Sequence, residues 1–149
     1  METKTFKNQI SKIFIKKGFI KKGNYYSCFR EGVTIVIGLQ KSNFSNSYYI
    51  NVGYIINLLN PCITNLKEVD GDVRDRFSFD ENGKNVDLFD LEKMNEKELD
   101  IFTSIIEKNI HKYVDFVTSL ENLITLLKNY PIMLLQTKLI AKQLMGFES

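Results

Sequence analysis

The side chains in this chain that are best suited to ligand chemistry are two arginines spaced two residues apart. Arg74 and Arg76 are two of only three arginines, and lysine supplies the rest of the positive charge. On a strand these side chains would project from the same face, and a guanidinium group binds carboxylate or phosphate through paired hydrogen bonds that lysine cannot form. The pair therefore predicts a site for an anionic ligand. The alternative is surface ion pairing with acids close in sequence, namely Asp70, Asp72, Asp75 and Asp80.

A second polar group lies along two predicted strands, on the face that does not carry the core. Gln40, Tyr49 and Asn51 alternate there with Gly38 and Gly53. Glycine weakens the interior of a strand, so two glycines on one face indicate that another group approaches the backbone closely. That group is either a helix of the same chain or a ligand or partner. We predict that the ligand or partner is bound by Arg74, Arg76, Gln40, Tyr49 and Asn51.

Residue types for catalysis and metal binding are few and scattered along the chain. There is one histidine, His111, and two cysteines, Cys28 and Cys62. Metal sites draw on clusters of such ligands, and a catalytic histidine needs positioned partners, so we predict no enzyme activity, no catalytic residues, no metal and no cofactor. We expect His111 at the surface or its boundary and both cysteines as small core hydrophobes. The acids at 70–75 are expected in a solvated loop.

Hydrophobic spacing predicts a single α+β domain over residues 1–149, with an N-terminal helix, an antiparallel meander sheet of about four strands, and C-terminal helices packed on one face. A helical period predicts a first helix from Phe6 to Lys17, which Gly18 ends. Alternating apolar residues predict strands over 25–30, 33–40, 48–56 and 73–79. Because paired residues share a face, Leu39 should lie opposite Ile50 and Gly38 opposite Asn51.

The second half of the chain is predicted to be helical after a long loop over 57–71, which Ile63 and Val69 could anchor. A capping-box pattern begins a long helix at Asn95, with a core stripe that runs to Leu120. Beyond it, either Ser119 caps a new helix or the same helix continues to Asn129.

A last helix is predicted from Pro131 to Gly146. Apolar residues would cover more than half of its circumference, whereas a helix that packs on its own domain needs a narrower stripe. The surplus is covered either by the preceding helix or by a second subunit. We therefore predict a homodimer through residues 131–145 as one of two alternatives.

Charge is unevenly distributed along a chain whose net charge is only +2. Residues 1–41 carry a net +7, residues 42–100 a net −6 and residues 101–149 a net +1. This polarity indicates either an anionic partner or two parts of one fold that attract each other. No stretch is long and apolar enough for a secretion signal or a membrane span. We expect a cytoplasmic protein that does not enter a membrane.

Several short segments resemble a known family. They are Gly18-Phe19, Leu39-Gln-Lys-Ser42, Asn51-Val-Gly53 and Asp72-Val-Arg-Asp-Arg76, and together they are similar to the bacterial family of domain of unknown function 4304. The resemblance covers about residues 3–127 and leaves 131–146 as an additional helix. It implies a small bacterial cytosolic protein, and it carries no assigned activity or catalytic residues. The chain departs from the family pattern at Arg76, which precedes a phenylalanine where an aliphatic residue is expected.

Three functions remain open from the sequence. The first is a non-enzymatic binding module that recognises a protein partner or a small anionic ligand through the sheet face and the two arginines. The second is a metal-independent enzyme that uses arginine, tyrosine and carboxylate chemistry, which a deep pocket with Arg76 and Tyr49 would favour. The third is a nucleic-acid binder. The lysine-rich N-terminal helix followed by Tyr25 and Tyr26 favours it, but the sequence has no other feature of such proteins.

Overall fold

The computed structural model describes residues 1–62 and 66–147. The predicted α+β fold is confirmed: a helix, an antiparallel sheet and then further helices follow one another along the chain. The helices are α1 Thr3–Lys16, α2 Leu99–Ile110, α3 Leu120–Asn129 and α4 Leu139–Leu144. The strands are β1 Ile20–Lys22, β2 Tyr25–Phe29, β3 Val33–Lys41, β4 Ser47–Ile56, β5 Val73–Arg76, β6 Phe79–Glu81, β7 Lys84–Val86 and β8 Phe89–Asp90.

The main sheet runs in the order β1-β2-β3-β4-β5, and β8 also pairs with β4. The predicted register between β3 and β4 is confirmed, since Leu39 lies opposite Ile50 and Gly38 opposite Asn51. This register turns the apolar side chains of both strands toward α1 and α2. On that face Phe6 of α1 stacks on Tyr48 at 5.1 Å and contacts Phe102 of α2 at 5.7 Å between ring centroids.

The fourth predicted strand is shorter than 73–79. Strand β5 ends at Arg76, because Asn109 of α2 takes both hydrogen-bonding groups of the Ser78 backbone: Ser78 N–H donates to Asn109 Oδ1 at 3.0 Å, and Asn109 Nδ2 donates to the Ser78 carbonyl at 2.8 Å. The chain then forms a separate hairpin, β6–β7. Its turn residues Asn82 and Gly83 both have positive φ, of 52° and 82°, as a type I′ turn requires.

The long C-terminal helix pattern is divided into two helices. A π-helical turn, His111–Asp115, follows α2, and Ser119 then caps α3 by accepting a hydrogen bond from Asn122 N at 3.3 Å. The division occurs here because Glu31 holds the chain: its carbonyl accepts from Leu120 N at 2.9 Å. Of the two open alternatives, the separate capped helix is therefore correct.

The prediction of a single helix from Pro131 to Gly146 is wrong. Residues Pro131–Gln136 form a 3₁₀ helix, Thr137 bridges to Val73 of β5, and only then does α4 begin. Lys138 N donates to the Asp72 carbonyl at 2.9 Å, which fixes the break in the middle of the segment. The apolar surplus is nevertheless present, since four aliphatic side chains are more than half exposed: Ile132, Leu135, Leu139 and Ile140.

On the face of the sheet opposite α1 and α2 lies a short turn from the loop that precedes β5. This 3₁₀ turn, Glu68–Asp70, lies on β3 and β4 with Glu68 buried. Of the two predicted anchors of this loop, Val69 is 55% exposed and does not act as one, and Ile63 lies outside the described residues. Glu68, a charged residue, takes the place that an apolar anchor was expected to occupy.

Candidate functional site

The predicted binding residues come together beside β5. A cavity of about 410 Å³ is lined by Gln40 of β3, Asn51 of β4 and both Arg74 and Arg76 of β5. The fifth predicted residue, Tyr49, does not line the cavity, and its ring instead supports Arg76. The predicted residues come together because β4 lies between β3 and β5. Asn51 lies opposite Arg76, and Gln40 lies opposite Tyr49.

The guanidinium of Arg76 is held from several directions. Its Nε donates to Asn51 Oδ1 at 2.9 Å and its Nη2 to Gln40 Oε1 at 3.4 Å. Nη1 lies 3.5 Å from Asp87 Oδ2, and the guanidinium carbon lies 3.9 Å from the centroid of the Tyr49 ring. Such stacking and paired bonding fix the plane of an arginine fork. Arg76 is therefore a positioned side chain, and its acid partner is Asp87 instead of an acid from 70–80.

Arg74 lines the same cavity but is arranged differently. It lies opposite Gly53 and points to the same face of β5 as Arg76, as predicted. Its side chain is exposed, and within the part of the chain that the structure describes no carboxylate oxygen lies within 4.0 Å of it. The hydrogen-bond donors of Arg74 are therefore not taken up by a carboxylate of the described residues.

The close approach that Gly38 and Gly53 indicated comes from Glu68. A methyl group at Gly38 would overlap the Glu68 carboxylate, and a methyl group at Gly53 would lie 2.5 Å from the Glu68 carbonyl oxygen. The approaching group is therefore part of the same chain, the short 3₁₀ turn Glu68–Asp70. Glu68 was not among the predicted residues, although an acid in the loop after two glycine-bearing strands was the available signal.

Glu68 is also the charged floor of the cavity. Only 6% of the residue is exposed, and its Oε1 accepts from Asn51 Nδ2 at 3.3 Å. Among the described residues Oε2 has no hydrogen-bond partner. Asn51 thus joins Glu68 to Arg76, since its amide donates to one and its carbonyl accepts from the other.

Two of the three acids of residues 70–75, Asp72 and Asp75, are structural, which corrects the prediction of a solvated loop for these two, whereas Asp70 is exposed. Asp72 is only 2% exposed, and its Oδ2 accepts from Ile56 N and from Asn60 Nδ2, both at 2.8 Å. Asp75 accepts from the Tyr113 hydroxyl at 2.7 Å. Burial, reinforced by the charge of Asp75, raises the pKa of Tyr113.

The remaining reactive side chains lie apart from this cavity. His111 is exposed, as expected, and Cys28 is buried, but Cys62 is exposed and is not the core residue that was predicted. Over residues 1–62 and 66–147, no group of three or more His, Cys, Asp or Glu side chains could hold a metal ion. Burial lowers the pKa of Lys112, whose amino group lies 3.9 Å from the centroid of the Tyr130 ring.

Three lysines in the last turns of α1 and directly after it line a separate groove against α2. Lys12, Lys16 and Lys17 share it with Glu107, and Lys17 is paired with Asp115 at 3.3 Å. The continuous basic face that would favour nucleic-acid binding is thus interrupted by two acids. In the described part of the chain no helix is long and apolar enough to cross a membrane.

Comparison with known proteins identifies the family of this chain. No curated protein and no solved structure matches the chain. The model of one family, Domain of unknown function (DUF4304), matches residues 10–120, which include the second half of α1, the whole main sheet and all five predicted binding residues. Because this match covers well over half of the chain, the protein belongs to the DUF4304 family.

Proposed function

We propose that this domain is a non-enzymatic binding module for a small anionic ligand, which the cavity beside β5 receives. The observation that carries the proposal is the contrast between the two arginines. Arg76 is immobilised by four neighbouring side chains, whereas Arg74 lines the same cavity with its guanidinium exposed and without a carboxylate partner among the described residues. An anion that bridges both would find one donor group already oriented, which lowers the entropic cost of binding.

The size of the cavity fits such a ligand, and its lining combines the two arginines with the carboxylates of Glu68, Asp75 and Asp87. At about 410 Å³ it lies in the range of small-molecule sites. Gln40, Asn51 and Gln136 add neutral amide groups to its lining, and these can hydrogen-bond the uncharged part of the molecule. Two guanidinium groups on one face match carboxylates or a phosphate better than lysines would.

Binding is favoured over catalysis because each carboxylate at this site has a structural partner on at least one of its oxygens. Asp75 accepts from Tyr113, Asp87 pairs with Arg76, and Glu68 accepts from Asn51 beneath the cavity. A general base needs to reach a substrate proton, and these three groups are held in contacts that keep the fold and the arginine in place. The metal-independent enzyme is therefore the weaker alternative.

A protein partner is the second candidate, supported by the apolar surface next to the cavity. Gln136 lines the cavity, and the adjacent Leu135 is 78% exposed. An acidic side chain of a partner could enter the cavity while apolar groups cover Leu135 and Ile132, which is 74% exposed. Interfaces of this kind combine a charged anchor with surrounding apolar contacts.

Isothermal titration with citrate and with inorganic phosphate, at constant ionic strength set with chloride, tests the proposal. We expect Arg74→Gln to weaken binding by about ten- to a hundredfold, because a hydrogen bond to a charged group contributes roughly 1.5–3 kcal/mol. Lys22→Gln, which removes one charge from the exposed strand β1, is the matched control and should bind like the unaltered protein. Equal weakening by both variants would mean that the anions sense only net charge, and the proposed site would be wrong.

A further inference from the structure

A second cavity, independent of the arginine site, lies between the β6–β7 hairpin, β8 and α2. It measures about 390 Å³, and much of its lining is apolar. Phe89 and Phe102 form its floor, with ring centroids 6.2 Å apart. Phe79, Met94 and Ile101 line its sides, and Ile101 is 59% exposed. A concave apolar site of this volume is typical of small-molecule binding.

The rim of this groove is acidic. Four carboxylates lie on it, from Asp80, Glu81, Asp90 and Glu98, together with one lysine, Lys93. None of these four carboxylates has an ion pair with a lysine or arginine in the part of the chain that the structure describes. The surrounding sequence has the same sign, since residues 80–100 contain eight acids and three lysines, a net charge of −5.

We propose that this groove binds a small organic cation with an apolar body. The aromatic floor and aliphatic sides remove the body of the ligand from water, while the rim carboxylates attract its positive charge and repel anions. A neutral apolar molecule would gain only the first contribution. The thioether of Met94 is flexible, so the groove can adjust to the shape of the ligand.

This site selects the opposite charge from the cavity beside β5. The hairpin β6–β7 separates the two: Asp87, which follows β7, contributes to the arginine cavity, and the next residue, Leu88, lines the acidic groove. Neither the arginines nor Asn51 contributes to the groove. The groove and the proposed anion site therefore share no lining residue and are independent of each other.

Two ions of the same shape and opposite charge test the inference. Isothermal titration of the full chain should show that tetraphenylphosphonium binds at least about tenfold more tightly than tetraphenylborate, and that added salt weakens the binding. Glu98→Gln should reduce the affinity roughly two- to fivefold, as expected for one partly screened charge pair. Equal binding of the two ions, or no binding of tetraphenylphosphonium up to about 1 mM, would overturn the proposal.

The position of the site is tested by Ile101→Lys. This change places a positive charge at the mouth of the groove, and because Ile101 is 59% exposed the fold should tolerate it. The matched control is Ile20→Lys, at a residue on β1 that is 61% exposed and outside the groove. We expect at least about a tenfold loss of affinity for tetraphenylphosphonium in the first variant, by charge repulsion and lost apolar contact, and no change in the second. The same affinity in both variants would show that the cation binds elsewhere.

Discussion

Gly38→Ala should destabilise the protein through its contact with the Glu68 carboxylate. The new methyl group would overlap that carboxylate, and forcing extra volume into a packed site costs about 1–3 kcal/mol. Alanine also restricts the unfolded chain, which offsets roughly 0.4–1 kcal/mol. The expected net loss is therefore at most about 2.6 kcal/mol, measured as the free energy of unfolding in urea.

A double-mutant cycle identifies the atoms responsible. Removing the carboxylate with Glu68→Ala should relieve the overlap that Gly38→Ala creates, so the two changes should show a coupling energy of about 1 kcal/mol or more. Gly53→Ala is the matched control, because its methyl group would meet the backbone of residue 68, with the carbonyl oxygen at 2.5 Å and Cα at 2.8 Å. Glu68→Ala leaves that backbone in place and should not rescue Gly53→Ala. A coupling below about 0.5 kcal/mol at Gly38, or equal rescue at both glycines, would refute the assigned packing of Glu68.

Three further outcomes follow from the structure. Ile37→Ala, at a completely buried core position, should cost about 2–5 kcal/mol in urea melts, and a loss under about 1 kcal/mol would mean that the face assignment is inverted. Light scattering should detect a homodimer, because Leu135 is 78% exposed and an exposed apolar surface favours association. Leu135→Lys should convert the dimer to a monomer, and a monomeric parent protein would contradict the predicted dimer. Burial raises the pKa of both Tyr54 and Tyr113, so the folded state holds their protons more tightly. Stability should therefore fall as pH rises above about 10, the ordinary tyrosine value, and Tyr113→Phe should lessen the fall; an equal pH dependence in both proteins would contradict this origin.

The sheet could be predicted from sequence where one face is buried. The alternation of apolar residues along β3 and β4 indicates which side chains face α1. Because paired residues must share a face, few registers remain, and the pairing of Leu39 with Ile50 could be predicted. Strand β1 was missed because all three of its residues are exposed and its pairing depends on the backbone alone. Apolar patterning carries no signal for such an edge strand.

The interruptions of the helices depend on contacts between distant residues. The break before α3 is fixed by Glu31, and the break before α4 by the backbone of Asp72. A helical hydrophobic period continues through both positions, because the same apolar residues can pack from either conformation. The homodimer prediction therefore began from a continuous helix that does not exist, although exposed aliphatic residues remain on both parts of the segment.

The arginines and amide side chains of the candidate site were predicted from the sequence, but its acids were not. Two arginines spaced two apart on a strand necessarily share a face, which needs only local geometry. Glu68 and Asp87 reach the same place from loops whose path the sequence does not specify. Asp87 lies eleven positions from Arg76, beyond the acids at 70–80 that were considered as partners.

The most direct test of the proposed function is to observe the arginines themselves. The chain has three arginines, Arg30, Arg74 and Arg76, so a ¹H–¹⁵N NMR spectrum of their Nε–H groups contains at most three signals, which single Arg→Lys variants assign. Titration with citrate or phosphate at constant ionic strength should shift the Arg74 and Arg76 signals together, with one affinity, and leave Arg30 unchanged. Signals that do not move, or an equal shift of Arg30, would contradict an anion site formed by Arg74 and Arg76.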